Sequence, residues 1–242
     1  MPSPAVPTLI PITTDIWSLE HPFFMPGGFD FRGRMTVVRL ATGGLLLHSP
    51  VPIDDGVAEQ LQDIGGVQEI VAPSLLHHLH LGPVQARYPQ ARCWGPPGLT
   101  AKRSDLRIDA TLGTDPANWH QTLEPIFIDG MPWMTEHVFF HRPSGTLICT
   151  DLFFNIHEVA NWQSRLFFGM YGVLGRPRQS PIVRFLAKDK TAAGVSAQRV
   201  VALPVKRLVP AHGRVIDNDA AAVLQDVLAK QLSWAPAALL LA

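Results

Sequence analysis

The sequence predicts an α/β (α+β) fold in which sheets are sandwiched between helices. Three observations carry that reading. Short runs rich in β-branched and aromatic residues crowd the first half, helix-spaced segments are set between them, and the second half is helical with one strand returning late. Layers of this kind are a standard way to bury the apolar face of a sheet. The chain has 242 residues, 47% of them apolar and 17% charged, which suits one large domain spanning 1–242. A chain of this size buries enough surface to fold without a disulfide or a metal, so any metal is there for chemistry.

Taken in order, DIWSLEH, RMTVVRL and LLLHSP read as strands, the last two joined by a turn at Thr42-Gly43-Gly44. After Asp54-Asp55, residues Val57, Leu61 and Ile64 have helical spacing, the glycine pair Gly65-Gly66 ends the helix, and VQEIVAP is the next strand. LGPVQARYPQ reads as a short helix closed before Pro89, and ARCW as the strand after it. Three further strands lie in LEPIFIDG, EHVFFHR and TLICTDLFF, the last two joined by Pro143-Ser144-Gly145. Residues from about 158 to 203 are helix-rich, Lys206 to Val209 form the returning strand, and a helix runs from Asn218 to about Ser233.

Several function classes are excluded or set aside. Twenty basic and twenty acidic residues cancel, so the basic footprint of a nucleic-acid binder is absent and no nucleic-acid partner is expected. Cys93 and Cys149 lie in apolar, strand-like runs and read as buried free thiols. MPSPAVPTLIPITT lacks the basic start and apolar run of a signal peptide, and no apolar stretch approaches the roughly 18 to 20 residues of a membrane span. A cytoplasmic protein is therefore expected. No G-x-S-x-G elbow and no phosphate-cradling glycine loop occurs. The apolar terminus SWAPAALLLA favours docking on a second copy as a homodimer.

The chemistry concentrates at three strand ends. Ten histidines are many for a chain with so few charges, and His77, His78 and His80 crowd into LLHHLHLG directly after VQEIVAP. Ligand sites of α/β folds lie outside the carboxyl ends of strands, and a helical spacing of three would put His77 and His80 on one face. As the bland alternative, they are ring donors near a helix start. Asp151 stands at the mouth of the apolar run LFF, where a carboxylate needs a partner, a helix cap or a metal. His212, in KRLVPAHGRVI, again follows a short strand.

The order of these motifs resembles the metallo-β-lactamase-fold hydrolases across nearly the whole chain. SLLHHLHLG resembles that family's histidine-rich loop T-H-x-H-x-D-H-x-G, TDLFF its bridging-aspartate motif, and PAHG its last histidine. RMTVVRLATGGLLLHSPVPI is similar to an offshoot known only as a domain of unknown function. The resemblance implies a four-layer αββα sandwich, with 158–203 as a helical insertion. With Gly82 placed on the family glycine, His77 and His80 fall on loop histidines, while Leu75 and Leu79 replace a histidine and the aspartate. A second register pairs His78 with His80 and gives up the glycine. Trp133 takes the place of the family's middle histidine, with His137 four residues later.

The resemblance therefore implies His77, His80, Asp151 and His212 as metal ligands, Asp151 also as the catalytic carboxylate, and His78 and His137 as secondary candidates. It implies one zinc or iron ion whose bound hydroxide attacks an ester, lactone, amide or phosphoester in a small-molecule substrate. The leucines at 75 and 79 keep a second reading open, a metal-free binding or interaction module. The stretch with Arg165, Arg176, Arg178, Arg184, Lys188 and Lys190, interleaved with apolar residues, reads as a lid for an acidic or lipid-like substrate, as a packed helix pair or as a dimer face.

Overall fold

The structure, a computed structural model, describes residues 7–236. The strands are β1 (Ile10–Thr13), β2 (Ile16–His21), β3 (Phe24–Met25), β4 (Phe29–Asp30), β5 (Gly33–Arg39), β6 (Leu45–His48), β7 (Val67–Val71), β8 (Arg92–Gly95), β9 (Ala110–Thr111), β10 (Leu123–Phe127), β11 (His137–His141), β12 (Thr146–Cys149) and β13 (Arg207–Pro210). The helices are α1 (Asp55–Ile64), α2 (Leu81–Arg87), α3 (Leu99–Lys102), α4 (Trp162–Met170), α5 (Pro181–Phe185), α6 (Lys190–Val201) and α7 (Ala220–Leu232). Most of the terminal SWAPAALLLA lies outside the described residues.

The described residues form two compact units. One takes the chain up to His21 together with Gly33–Asp115; the other takes Pro22–Arg32 and the chain from Pro116 onward. In the first, a seven-stranded sheet runs β1-β2-β5-β6-β7-β8-β9. Its β1, β2, β5 and β6 are antiparallel neighbours, and β6 to β9 are parallel. Parallel neighbours need a crossover, and α1 and α2 supply two of them. The α1 helix starts where the Asp54 carboxylate accepts the Val57 N–H at 2.8 Å and ends at Gly65, in the left-handed region at φ +153°. Its inward residues Val57 and Leu61 pack with Leu45, Leu47, Ile70 and Cys93 of the sheet and with Leu81 and Val84 of α2.

The second unit is built on the sheet β10-β11-β12-β13, antiparallel except for the parallel pair β12 and β13. Val138, Phe140, Leu147, Cys149 and Leu208 on one face pack against Ala193, Ala197 and Val200 of α6 and Leu224 and Leu228 of α7. The small residues of α6 let it lie close against α7, which in turn packs on β13. A smaller cluster joins Phe154, Ile156 and Phe168 with Phe31 and Phe167, and the hairpin β3–β4 is tied to α4 by the Asp30 N–H donating to Ser164 Oγ at 2.8 Å. Both cysteines are buried free thiols, as the apolar runs around them predict. Among the described residues no helix is long and apolar enough to cross a membrane.

Leu61 is fully buried at the centre of the first core. Leu61→Ala is expected to cost about 2–5 kcal/mol of unfolding free energy, read as a lowered urea midpoint.

Candidate metal centre

The second unit brings Asp151 and His212 together through its one parallel strand pair. Cys149 of β12 is in register with Pro210 of β13, and the pairing continues where the Ala211 N–H donates to the Cys149 carbonyl at 2.9 Å. Asp151 and His212 each lie two residues beyond these partners, so both side chains emerge at the same level from neighbouring strand ends. His212 Nε2 and Asp151 Oδ1 are 3.7 Å apart, and both side chains are nearly inaccessible to solvent.

The His212 ring is held on every side within this unit. Its Nδ1 donates to the carbonyls of Phe31 at 2.8 Å and Arg32 at 3.1 Å. Carbonyls only accept, so Nδ1 carries a proton, and Nε2 is the nitrogen that faces Asp151. Phe154 stacks on the ring at 5.4 Å and Phe31 meets it edge-on at 5.4 Å. The backbone is pinned as well, with the Asn155 N–H donating to the His212 carbonyl at 3.0 Å and Asn155 Nδ2 to the Arg214 carbonyl at 2.8 Å. Gly213 follows at φ +96°, and a Cβ there would collide with the Asn155 carbonyl.

Asp151 is positioned by a residue that sequence reasoning missed. The Glu136 carboxylate, fully buried just before β11, accepts the N–H and hydroxyl of Thr150 at 2.6 and 2.8 Å and the Asp151 N–H at 3.1 Å. The turn that leads out of β12 is thus folded around one carboxylate. A lone acid in front of the apolar run VFF is the signal that points to it.

The first unit distributes the loop histidines differently from the helical-spacing expectation. Residues 74–80 form bends and turns, and α2 starts only at Leu81. The reason is Ser74, whose Oγ accepts the N–H groups of Leu76 and His77 at 3.2 Å each and holds them in a local turn. His77 Nδ1 lies 2.8 Å from Ser49 Oγ at the end of β6, where Ser49 sits at φ +55°. His78 turns elsewhere, its Nδ1 3.1 Å from Arg103 Nη1, and its pKa is lowered by burial and by the Lys102 and Arg103 cations. His80 meets His21 edge-on at 5.6 Å, with its pKa lowered by burial and by that neighbour. His48, on β6, is held neutral by burial, its pKa pushed down to about 3. His137 opens β11 beside the Phe127 ring, with burial taking its pKa down to about 4. Trp133 packs partly buried at the margin of the second core.

The chain has the metallo-β-lactamase fold. It matches a metallo-β-lactamase from Pontibacter korlensis over 93% of this chain and 99% of that one, with a TM-score of 0.63 and 15% identity. A metallo-β-lactamase from Hirschia baltica matches over 95% and 98%, at TM-score 0.64 and 11% identity. One from Pseudomonas aeruginosa, in a mono-zinc form, matches over 96% and 98%, at 0.60 and 14%. Residues 14–110 match the family model described as a domain of unknown function, DUF4336. No curated relative matches the chain.

Two measurements check this local architecture. Gly213→Ala is expected to destabilise the protein by about 1–3 kcal/mol, read as a lower melting temperature. His137 takes up a proton near pH 6.5 when unfolded but only near pH 4 when folded, so stability falls as pH drops through that window. The loss between pH 6.5 and 5 is about 2 kcal/mol for such a group, and urea titrations at the two pH values should show a correspondingly smaller drop in His137→Phe.

Proposed function

We propose that the protein is a metal-dependent hydrolase whose single ion is held in the second unit by Asp151 and His212, with His77 and His80 as the further ligands that the resemblance of LLHHLHLG to the family's histidine-rich loop implies. One observation carries the reading. A ring nitrogen and a carboxylate oxygen, His212 Nε2 and Asp151 Oδ1, face each other in a buried setting at 3.7 Å. That separation is too long for a hydrogen bond and close to the roughly 3.4 Å between two donors on one tetrahedral ion. Imidazole with carboxylate at this separation suits zinc and iron. His77, on the loop of the first unit, is a further candidate imidazole by the likeness of that loop to the family's histidine-rich motif. Its contact with Ser49 fits Nδ1 as the protonated nitrogen and Nε2 as the ligating one.

Three protein donors with an open fourth position is the pattern of catalytic rather than structural zinc. When bound there, such an ion supplies Lewis acidity and lowers the pKa of water at its open position to about 7. The chain's own residues do the rest. Phe31, Arg32 and Phe154 keep His212 in one tautomer and one orientation, and Glu136 fixes the backbone from which Asp151 projects. Asp151, the oxygen donor of the set, would help hold the ion and would accept a proton from water. His80 meets the His21 ring and His78 lies against Arg103. The substrate class is an ester, lactone, amide or phosphoester, by likeness to the fold's hydrolases.

Elemental analysis of protein purified without a metal column tests the proposal. Near-stoichiometric zinc or iron is expected in the wild type and none in His212→Ala or Asp151→Ala, with hydrolysis of model esters, lactones or phosphoesters abolished in both. Ser49→Ala and Glu136→Gln are expected to weaken metal affinity by about 10–100-fold, as loss of an orienting partner does. Chelation is expected to lower the melting temperature. A wild type that is empty and cannot be reloaded overturns the reading in favour of a metal-free binding module.

A further inference from the structure

The α4 helix is amphipathic in the unusual sense. Its inward residues are Ser164 and Phe168, and its outward row, at helical spacing, is Trp162, Leu166 and Met170, which are 70%, 57% and 76% exposed. With Arg165 and Gly169 they line a shallow groove of about 510 Å³. The next helix, α5, exposes Ile182 and Phe185, the latter at 85%. So many large apolar side chains facing water call for a partner.

The charge around them says which kind. Residues 159–188 hold five cations, Arg165, Arg176, Arg178, Arg184 and Lys188, and not one acid, in a chain whose net charge is zero. Nine arginines elsewhere in the described chain pair with a carboxylate, including Arg34 with Glu20, Arg103 with Asp105 and Arg214 with Glu158. None of the five cations between 159 and 188 makes an ion pair among the described residues. Uncompensated cations on the same stretch of chain as an exposed tryptophan and an aliphatic row, with Arg165 in the groove itself, match a surface that is anionic outside and apolar beneath. Symmetric pairing of two copies through this face would bring the uncompensated cations against each other, which disfavours a homodimer here.

We propose that the α4–α5 segment is a docking surface for an anionic lipid bilayer, with Trp162, Leu166 and Met170 entering the headgroup boundary and the cations of 159–188 lying against lipid phosphates. This is an interfacial attachment rather than a span. It is independent of the metal centre.

Flotation of the full chain with vesicles tests it. Vesicles of phosphatidylcholine with phosphatidylglycerol are expected to carry the protein up the gradient, and pure phosphatidylcholine vesicles are not. Raising the salt releases it, because Arg165, Arg176, Arg178 and Lys188 are exposed and screened. Arg165→Glu and the double variant Trp162→Ser/Met170→Ser are expected to lower the partition coefficient by about tenfold or more, with unchanged melting temperature. A blue shift of tryptophan emission on binding should shrink in Trp162→Phe. Absence of binding to anionic vesicles overturns the proposal, as does equal binding to neutral ones. A dimer detected by light scattering and broken by Trp162→Ser would overturn it in favour of a second copy, and binding confined to acidic polypeptides in favour of a protein partner.

Discussion

The arrangement of the second unit depends on the parallel pairing of β12 with β13. Antiparallel partners would send their carboxyl ends to opposite edges of the sheet; parallel partners deliver both to one edge. The register Cys149 to Pro210 then brings two short exits, Thr150-Asp151 and Ala211-His212, to equal height. A shift of one residue would exchange the faces of the sheet on which every side chain of β13 lies, taking Leu208 out of the core and breaking the alignment of the pair together. Core packing and site geometry are thus set by one register.

Around that edge the protein spends its polar groups on holding donors still. Backbone carbonyls of Phe31 and Arg32 choose the His212 tautomer, two aromatic rings choose its plane, and the Asn155 backbone closes over Gly213. A buried carboxylate, Glu136, gathers the N–H groups at the exit of β12. Each contact removes a degree of freedom before any ligand arrives, which is how a site gains affinity without new contacts to the ligand. Burial also keeps His48 neutral in the first unit and His137 in the second, so each interior carries a built-in sensitivity to acid.

Charge is handled differently in the two halves of the surface economy. Most arginines sit beside a carboxylate close by in sequence or across a strand pair, where exposed pairing adds little stability but cancels the field. Between 159 and 188 that cancellation stops, and it stops where apolar side chains are also left outside. The two departures coincide on one stretch of chain.

Much of this was legible in the sequence because it depends on local rules. Strand and helix alternation, the turn at Gly43-Gly44, the stop at Gly65, the buried thiols and the strand-end positions of Asp151 and His212 follow from periodicity and from residues with special backbone demands. The resemblance in motif order also reached the fold before any coordinates did. Tertiary structure alone decided which histidine does what. Ser74 captures two backbone N–H groups and turns the LLHHLHLG loop away from a helix, so spacing of three no longer means a shared face, and His77, His78 and His80 go to Ser49, Arg103 and His21 in turn. Glu136 and Asn155 escaped notice for the same reason. A side chain's role as a brace is a property of where another strand's backbone ends, and that distance is fixed by sheet register rather than by separation along the chain.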